Sequence, residues 1–308
     1  MVREIGVHDS IAALFPPRVL VDRLADVDAT VRVVGTDAVD GVDALVTFEY
    51  DEAFLDAGLD WIHSVQAGID RFPLEELEAE GISLTNSTGT HGDSVGETVA
   101  GMMLSFARRL HQYRSQQGDK EWAWAEWDAP FTLSGSSLCV VGLGTLGRGI
   151  AARADALGMA VTGVKRTPTP VDHVETVHPS SKLREAISDA KFVALAVPLT
   201  EDTEGLIGAE ELAAMRDDAI LVNVARGGVV DQAALVDALR TDDLAGAALD
   251  VFETEPLPES SPLWEMDEVI VTPHAAAATR DYPDRMATLV RENVRRIDAG
   301  ERLANHVV

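Results

Sequence analysis

The chain of 308 residues is short of cysteine, lysine and long apolar runs. Its one cysteine, Cys139, excludes an internal disulfide, and its place in an apolar burst reads as packing. Four lysines (Lys120, Lys165, Lys182 and Lys191) leave arginine to supply the other 21 of the 25 basic residues. The longest uncharged stretch, residues 129–147, has the length to span a bilayer. Its Ser, Thr, Gly and Pro content reads instead as loop plus strand, so no membrane association is expected. Acidic residues number 52, which sets the net charge at −27. Phosphate contact needs a basic face, so this charge argues against nucleic acid and anionic membrane as partners. The surplus acids are spread along the whole chain, unlike a disordered tail. They point to a salt-adapted protein, as from a halophile, whose self-repulsion is tolerable when salt screens it. The N-terminus carries Arg3 and Glu4 and lacks a secretory pattern, so a cytoplasmic location is expected.

What is present is organised around residues 135–166. An apolar burst at 138–141 reads as a buried strand. Gly142, Gly144 and Gly147 follow at G-x-G-x-x-G spacing. Residues 149–157 have helical composition, and 160–164 form a second apolar strand. A β-α-β unit of about 30 residues is the context that makes this glycine pattern a dinucleotide site. Gly142 permits the tight turn, Gly144 lets the backbone approach a pyrophosphate, and Gly147 lets the helix pack on the strand. The phosphates are expected at the helix N-terminus, where N–H groups and the helix dipole favour anions.

Ahead of this unit, short apolar runs at 5–7, 31–34, 44–48, 61–65 and 82–85 alternate with more polar segments. That pattern predicts a parallel sheet with crossover helices. Residues 94–117 read as one long helix, with Ser94 as N-cap and Glu97 at capping-box spacing. Trp122, Trp124 and Trp127 follow within six positions. They share no helical face and suggest a packing arm or a dimer contact. After the glycine unit, strands are expected at 192–197, 219–224, 245–251 and 268–272, making six with the first two. Helices are expected at 181–189, 209–215, 232–240 and 284–299.

Four further blocks carry a resemblance. They are Val197-Pro198-Leu199-Thr200 with Thr203, Asn223-Val224-Ala225-Arg226-Gly227-Gly228, Ala248-Leu249-Asp250 continuing to Glu255-Pro256, and Thr272-Pro273-His274. With the glycine loop, in this order, the chain resembles the D-isomer-specific 2-hydroxyacid dehydrogenases, which include glyoxylate/hydroxypyruvate reductases. The resemblance implies an α/β fold of two Rossmann- or flavodoxin-like, doubly wound parallel-sheet domains with a cleft between them. Residues 1–93 and 284–308 would form a discontinuous substrate (catalytic) domain, and 94–283 the dinucleotide-binding domain. It implies that Arg226, Glu255 and His274 are catalytic, and that Ala67 and Gly68 offer backbone N–H groups to a substrate carboxylate. It also implies a homodimer. Cofactor contacts are expected from Gly142, Gly144, Thr145, Leu146, Gly147, Lys165, Arg166, Thr167, Pro198, Thr203, Val224, Asp250 and Ala276, with Asp250 near the nicotinamide. No residue is assigned to a metal.

The chemistry agrees with this pattern. Reducing a 2-keto acid needs a cation for the carboxylate, a proton donor for the carbonyl oxygen and a hydride source. Arg226 suits the first by two-point binding. His274 suits the second, because imidazole changes charge near neutral pH. Glu255 would hold His274 and favour its protonated form. At the end of the second strand of the glycine unit, NAD sites place an acid for the ribose 2′-OH. Here stand Lys165, Arg166 and Thr167, with no acid before Asp172. Two cations suit a 2′-phosphate, so NADP(H) is favoured, with NAD(H) possible. The expected function is therefore reversible reduction of a small 2-keto acid to a D-2-hydroxy acid. The alternative is a nucleotide-sensing, corepressor-like binding protein on the same fold.

Overall fold

A computed structural model describes residues 2–308. It divides into two compact units, residues 2–90 with Ala278–Val308, and His91–Ala277.

The first unit holds five parallel strands: β1 (Glu4–His8), β2 (Thr30–Val34), β3 (Ala44–Thr47), β4 (Trp61–Ser64) and β5 (Ser83–Thr85), in the order β2-β1-β3-β4-β5. Each of the five apolar runs became a strand. Strands β3 and β4 are buried along their whole length, as a parallel sheet covered on both faces requires. Ile5, Val7, Val46 and Trp61 fill one face. Leu45, Phe54, Ile62 and Leu77 fill the other. Helices α1 (Pro17–Arg23), α2 (Ala53–Asp56) and α3 (Leu74–Ala79) connect the strands. The C-terminal helix, Tyr282–Ala299, starts two residues before its expected position, with Pro283 in its first turn. Its Met286, Val290 and Val294 recur at helical spacing and close the first of these faces.

The second unit holds helices α4 (Gly92–Ala107), α5 (Leu110–Asp119), α6 (Thr145–Ala156), α7 (Leu183–Ile187), α8 (Ala209–Ala214) and α9 (Gln232–Arg240). Its parallel sheet has seven strands: β6 (Ser137–Val141), β7 (Ala160–Lys165), β8 (Thr176–Pro179), β9 (Phe192–Leu195), β10 (Ile220–Asn223), β11 (Gly246–Leu249) and β12 (Val269–Val271). The order is β12-β11-β10-β9-β6-β7-β8. Strand β8 is the one that six expected strands omitted. It is an edge strand without an apolar run, and it ends in Pro179, which cannot donate to a ladder. Chain order reverses beside β6, with β7 on one side and β9 on the other. That is the switch point where doubly wound sheets bind ligands, at the C-terminal ends of the strands.

Three expectations are corrected. The long helix over 94–117 is broken between α4 and α5, where Arg109 stands at φ 56. No Gly or Pro marks the break, and a left-handed residue between helices is rarely arginine. Ser94 is not the cap, because α4 begins at Gly92. The Ser94 hydroxyl donates back to the His91 carbonyl, and Glu97 pairs with Arg153 at 3.5 Å. Helix α6 begins at Thr145 rather than 149, since Gly147 and Gly149 weakened the helical signal of its first turn. Those glycines have a packing reason: a Cβ on Gly149 would stand 1.9 Å from the Gly92 carbonyl oxygen, and one on Gly96 2.4 Å from that of Gly149. Helices α4 and α6 therefore meet backbone to backbone. The expected domain joints at 93/94 and 283/284 fall within the first turns of α4 and of the C-terminal helix.

The tryptophan segment is neither helix nor strand, and Trp122, Trp124 and Trp127 are 95%, 89% and 90% exposed. A packing arm within the chain is thereby ruled out. Cys139 is buried in β6, which pushes its thiol up to about 11. Among the described residues, no helix is long and apolar enough to cross a membrane.

Candidate active site

The glycine loop leaves β6 at Gly142, which stands at φ +97. A Cβ there would lie 2.5 Å from the Ala196 carbonyl oxygen, and one on Gly147 only 1.8 Å from that of Gly142. Turn and close packing thus both demand glycine. Gly144 differs: it is the N-cap of α6, and a Cβ on it would meet nothing within 4 Å. The space beside it is open, and the first-turn N–H groups of Thr145 and Leu146 lack partners within the helix. A pyrophosphate fits such a cradle.

Strand β7 is hydrogen-bonded beside β6, so its end flanks this loop. Lys165 reaches the Thr169 hydroxyl at 3.2 Å, while Arg166 and Thr167 are exposed. After β9, the Thr203 hydroxyl donates to the Pro198 carbonyl at 2.6 Å and accepts the Thr200 N–H at 2.8 Å, clamping its own turn. Val224 and Ala276 are buried beside the same sheet.

The catalytic candidates follow β10, β11 and β12, which are neighbours in the sheet. Arg226 is set by Asn223, whose amide is 1% exposed. The Asn223 Nδ2 donates to the Arg226 carbonyl at 3.0 Å, and its Oδ1 accepts the Ala225 N–H at 3.0 Å. The guanidinium itself donates to the Ala225 carbonyl at 2.8 Å. Gly227 then lets this loop touch the next one, since a Cβ there would sit 1.9 Å from the Phe252 carbonyl carbon. The structure uses Gly227 to seat the Arg226 loop on the loop that carries Glu255.

Glu255 faces His274 across 2.7 Å, from Oε2 to Nδ1, and its Oε1 accepts the Phe252 N–H at 3.1 Å. A carboxylate accepts, so Nδ1 donates here and Nε2 is left for a reacting oxygen. The His274 side chain is 46% exposed, open enough for a substrate to reach. Its backbone stands at φ 51, and its N–H donates to the Asp250 carbonyl at 2.8 Å. Asp250, 1% exposed, accepts from the Thr272 hydroxyl and from the Ala275 and Ala276 N–H groups. Sequence reading gave Asn223, Thr272 and Thr98 no role, yet each holds a loop of this site. For Asn223 and Thr272 the signal was a polar residue at the end of an apolar strand, which does not by itself name its partner; Thr98, inside α4, carried none.

In the other unit, Ala67 and Gly68 lie in the loop after β4. The Ala67 carbonyl accepts from the Asn86 side chain at 2.8 Å, and the Gln66 carbonyl from the Ser87 N–H at 2.9 Å. The loop is thereby tied to the one after β5.

Comparison with known proteins gives matches over most of the chain. Residues 100–276 match the family description "D-isomer specific 2-hydroxyacid dehydrogenase, NAD binding domain". A D-3-phosphoglycerate dehydrogenase of Methanocaldococcus jannaschii is 37% identical over 242 residues, 78% of this chain, which spans only 46% of that relative's length. A glyoxylate reductase of Korarchaeum cryptofilum is 34% identical over 296 residues, covering 93% of this chain and 85% of the relative. Among solved structures, a D-isomer specific 2-hydroxyacid dehydrogenase from Xanthobacter autotrophicus, in complex with NADPH and MES, superposes with a TM-score of 0.85. It is 30% identical and covers 100% of this chain and 98% of its own.

Proposed function

The chain belongs to the D-isomer-specific 2-hydroxyacid dehydrogenase family, and from that premise we propose that it reversibly reduces a small 2-keto acid to the D-2-hydroxy acid, with NADP(H) preferred over NAD(H). The observation that carries this reading is the 2.7 Å pairing of His274 with Glu255, on the strand ends next to Arg226.

The residues present fit a dinucleotide. Gly142, Gly144, Thr145, Leu146 and Gly147 would hold its pyrophosphate, where open space adjoins the start of α6. Lys165, Arg166 and Thr167 would take a 2′-phosphate, and no acid stands there to compete for a 2′-OH. Pro198, Thr203, Val224 and Ala276 would add further cofactor contacts, and Asp250 would stand near the nicotinamide. When bound, the cofactor supplies or accepts the hydride. The relative crystallised with NADPH favours the same preference.

The protein's own part is proton transfer and orientation. Arg226 binds the substrate carboxylate, and Ala67 and Gly68 offer it backbone N–H groups. His274 delivers a proton from Nε2 to the carbonyl oxygen during reduction and removes it during oxidation. Glu255 keeps the ring aimed by holding Nδ1 and balances the charge of the imidazolium. The protein acts as a homodimer in the cytoplasm, with the exposed tryptophan segment as a contact between copies.

The test is a panel of 2-keto acids, glyoxylate included, offered with NADH and with NADPH in molar salt. Turnover with NADPH is expected to exceed that with NADH. His274→Ala should cut kcat by at least about 100-fold, the low end for losing a general acid, with cofactor binding retained. Arg226→Ala should act mainly by raising KM. Near wild-type rates in both variants would refute the roles. Tight NADPH binding with no turnover on any acid would favour the sensor instead.

A further inference from the structure

Asp250 directly follows β11, with most of its bonding capacity committed. Its Oδ1 accepts the Thr272 hydroxyl at 2.6 Å and the Ala275 N–H at 2.8 Å, and its Oδ2 accepts the Ala276 N–H at 2.9 Å. A carboxylate offers about four acceptor positions, so a single one remains, on Oδ2. The backbone carbonyl of the same residue accepts the His274 N–H at 2.8 Å. One residue thus gathers four donors from the five-residue loop 272–276. From the other side, the Thr98 hydroxyl of α4 donates to the Ala276 carbonyl at 3.0 Å.

The loop needs holding. His274 sits at φ 51, a left-handed conformation that a residue with a β-carbon enters only at a cost. Such strain persists where the surroundings over-determine it. Without the Asp250 carboxylate, the Ala275 N–H and the buried Ala276 N–H would lose their acceptor, and the loop could relax toward ordinary φ. The imidazole would then leave the line to Glu255.

We infer that Asp250 is a positioning residue, which fixes the backbone of residues 272–276 and through it the direction of the His274 ring. This rests on the reductase reading above and limits one part of it: Asp250 keeps a single acceptor position for a cofactor.

Asp250→Asn tests the idea. The amide is nearly isosteric, but its NH₂ would face a backbone N–H, donor against donor. At saturating cofactor kcat should fall about 100-fold, the scale of a catalytic group displaced by about 1 Å. The Kd for NADPH should stay within about twofold, since the loss lies in the proton donor and not in binding. The isotope effect with NADPH deuterated at the transferred position should rise as chemistry becomes limiting. Thr272→Val, which removes one of the three side-chain-bound donors, should change the same quantities in the same directions by a smaller factor. It carries the test if circular dichroism shows Asp250→Asn unfolded. A tenfold rise in the NADPH Kd with kcat within about twofold of wild type would overturn the inference and restore Asp250 as a cofactor contact. So would wild-type values throughout. If the wild-type chain turns over no 2-keto acid, the reductase reading fails on its own. Positioning would then be read from the His274 imidazole NMR signals, which Asp250→Asn should shift with NADPH affinity unchanged; unshifted signals would overturn it.

Discussion

His63 is the residue whose surroundings depart furthest from what its type suggests. It lies in β4, wholly buried, with Nδ1 at 2.8 Å from the Thr85 hydroxyl and Nε2 at 3.3 Å from that of Ser87. Burial pushes its pKa down from 6.5 to about 3. The sign follows. Between those two values the unfolded chain binds a proton that the folded chain refuses, so this residue lowers stability as pH falls below 6.5 and is neutral above it. The slope is about 1.4 kcal/mol per pH unit. Going from pH 7 to pH 5, the wild type should lose about 2 kcal/mol more than His63→Gln, which cannot take up the proton. Urea unfolding at both pH values measures the difference, and parallel losses would disprove it. Nothing in the sequence hints at this, because the partner Thr85 is 22 positions away. Arg226, Glu255 and His274 stood out as candidates for a different reason: each stands a few residues past a strand end, in a block that carries the family resemblance. The residues that hold them, Asn223 and Asp250, were visible in the same blocks. The partners of Asp250, which lie 22 to 26 positions on, were not, since hydrogen bonding across a sheet leaves no local pattern.

At the scale of elements, alternation of apolar runs was enough to place every strand of the five-stranded sheet and six of the seven in the other. It failed at the edge strand β8, where one face needs no cover and no apolar run is required. Helix ends were less legible because glycine gives two opposite messages. It lowers helix propensity, yet here it is what lets α4 and α6 touch. The two meanings separate by experiment. In an open helical position Gly→Ala should stabilise, and in a contact it should not. Gly101, inside α4, has nothing within 4 Å of its Cβ position. Gly101→Ala should therefore gain about 0.5–1 kcal/mol. Gly149→Ala gains the same propensity but puts a methyl 1.9 Å from the Gly92 carbonyl oxygen. Backbone cannot yield there without parting the helices, and overpacking costs typically about 1–3 kcal/mol, more in rigid surroundings. The net effect should be a loss of about 2 kcal/mol. Opposite shifts of the melting temperature in the two variants are expected, and a stabilised Gly149→Ala would contradict the backbone contact.

The whole molecule is governed by its charge. With 52 acidic and 25 basic residues, more than half of the acids have no cation to meet, however well the arginines are used. The arginines are used well. Arg23 pairs with Asp284, Arg291 with Asp26, and Arg295 and Arg296 share Glu292, whose carboxyl they hold down to about 2. Exposed pairs of this kind contribute little each, and salt weakens them. Salt also screens the repulsion among the unmatched acids, shortening its range from about 10 Å at 0.1 M to about 3 Å at 1 M. The two effects oppose, and at −27 the repulsion should win. It also acts between copies. Two such chains repel strongly at low salt, so a dimer built on the exposed tryptophans should form only once that field is screened. The melting temperature should therefore rise by roughly 10 °C from 0.1 M to molar salt, the shift that about 3–4 kcal/mol produces in units of this size. Sedimentation should show single chains at low salt and dimers at high salt. Replacing Trp122, Trp124 and Trp127 with Ser should leave single chains at both, with the melting shift reduced but not abolished, because repulsion within each chain is still relieved. A melting temperature independent of salt would mean that the surplus charge is an ordinary acidic surface, and single chains in molar salt would leave the tryptophans without a partner of their own kind.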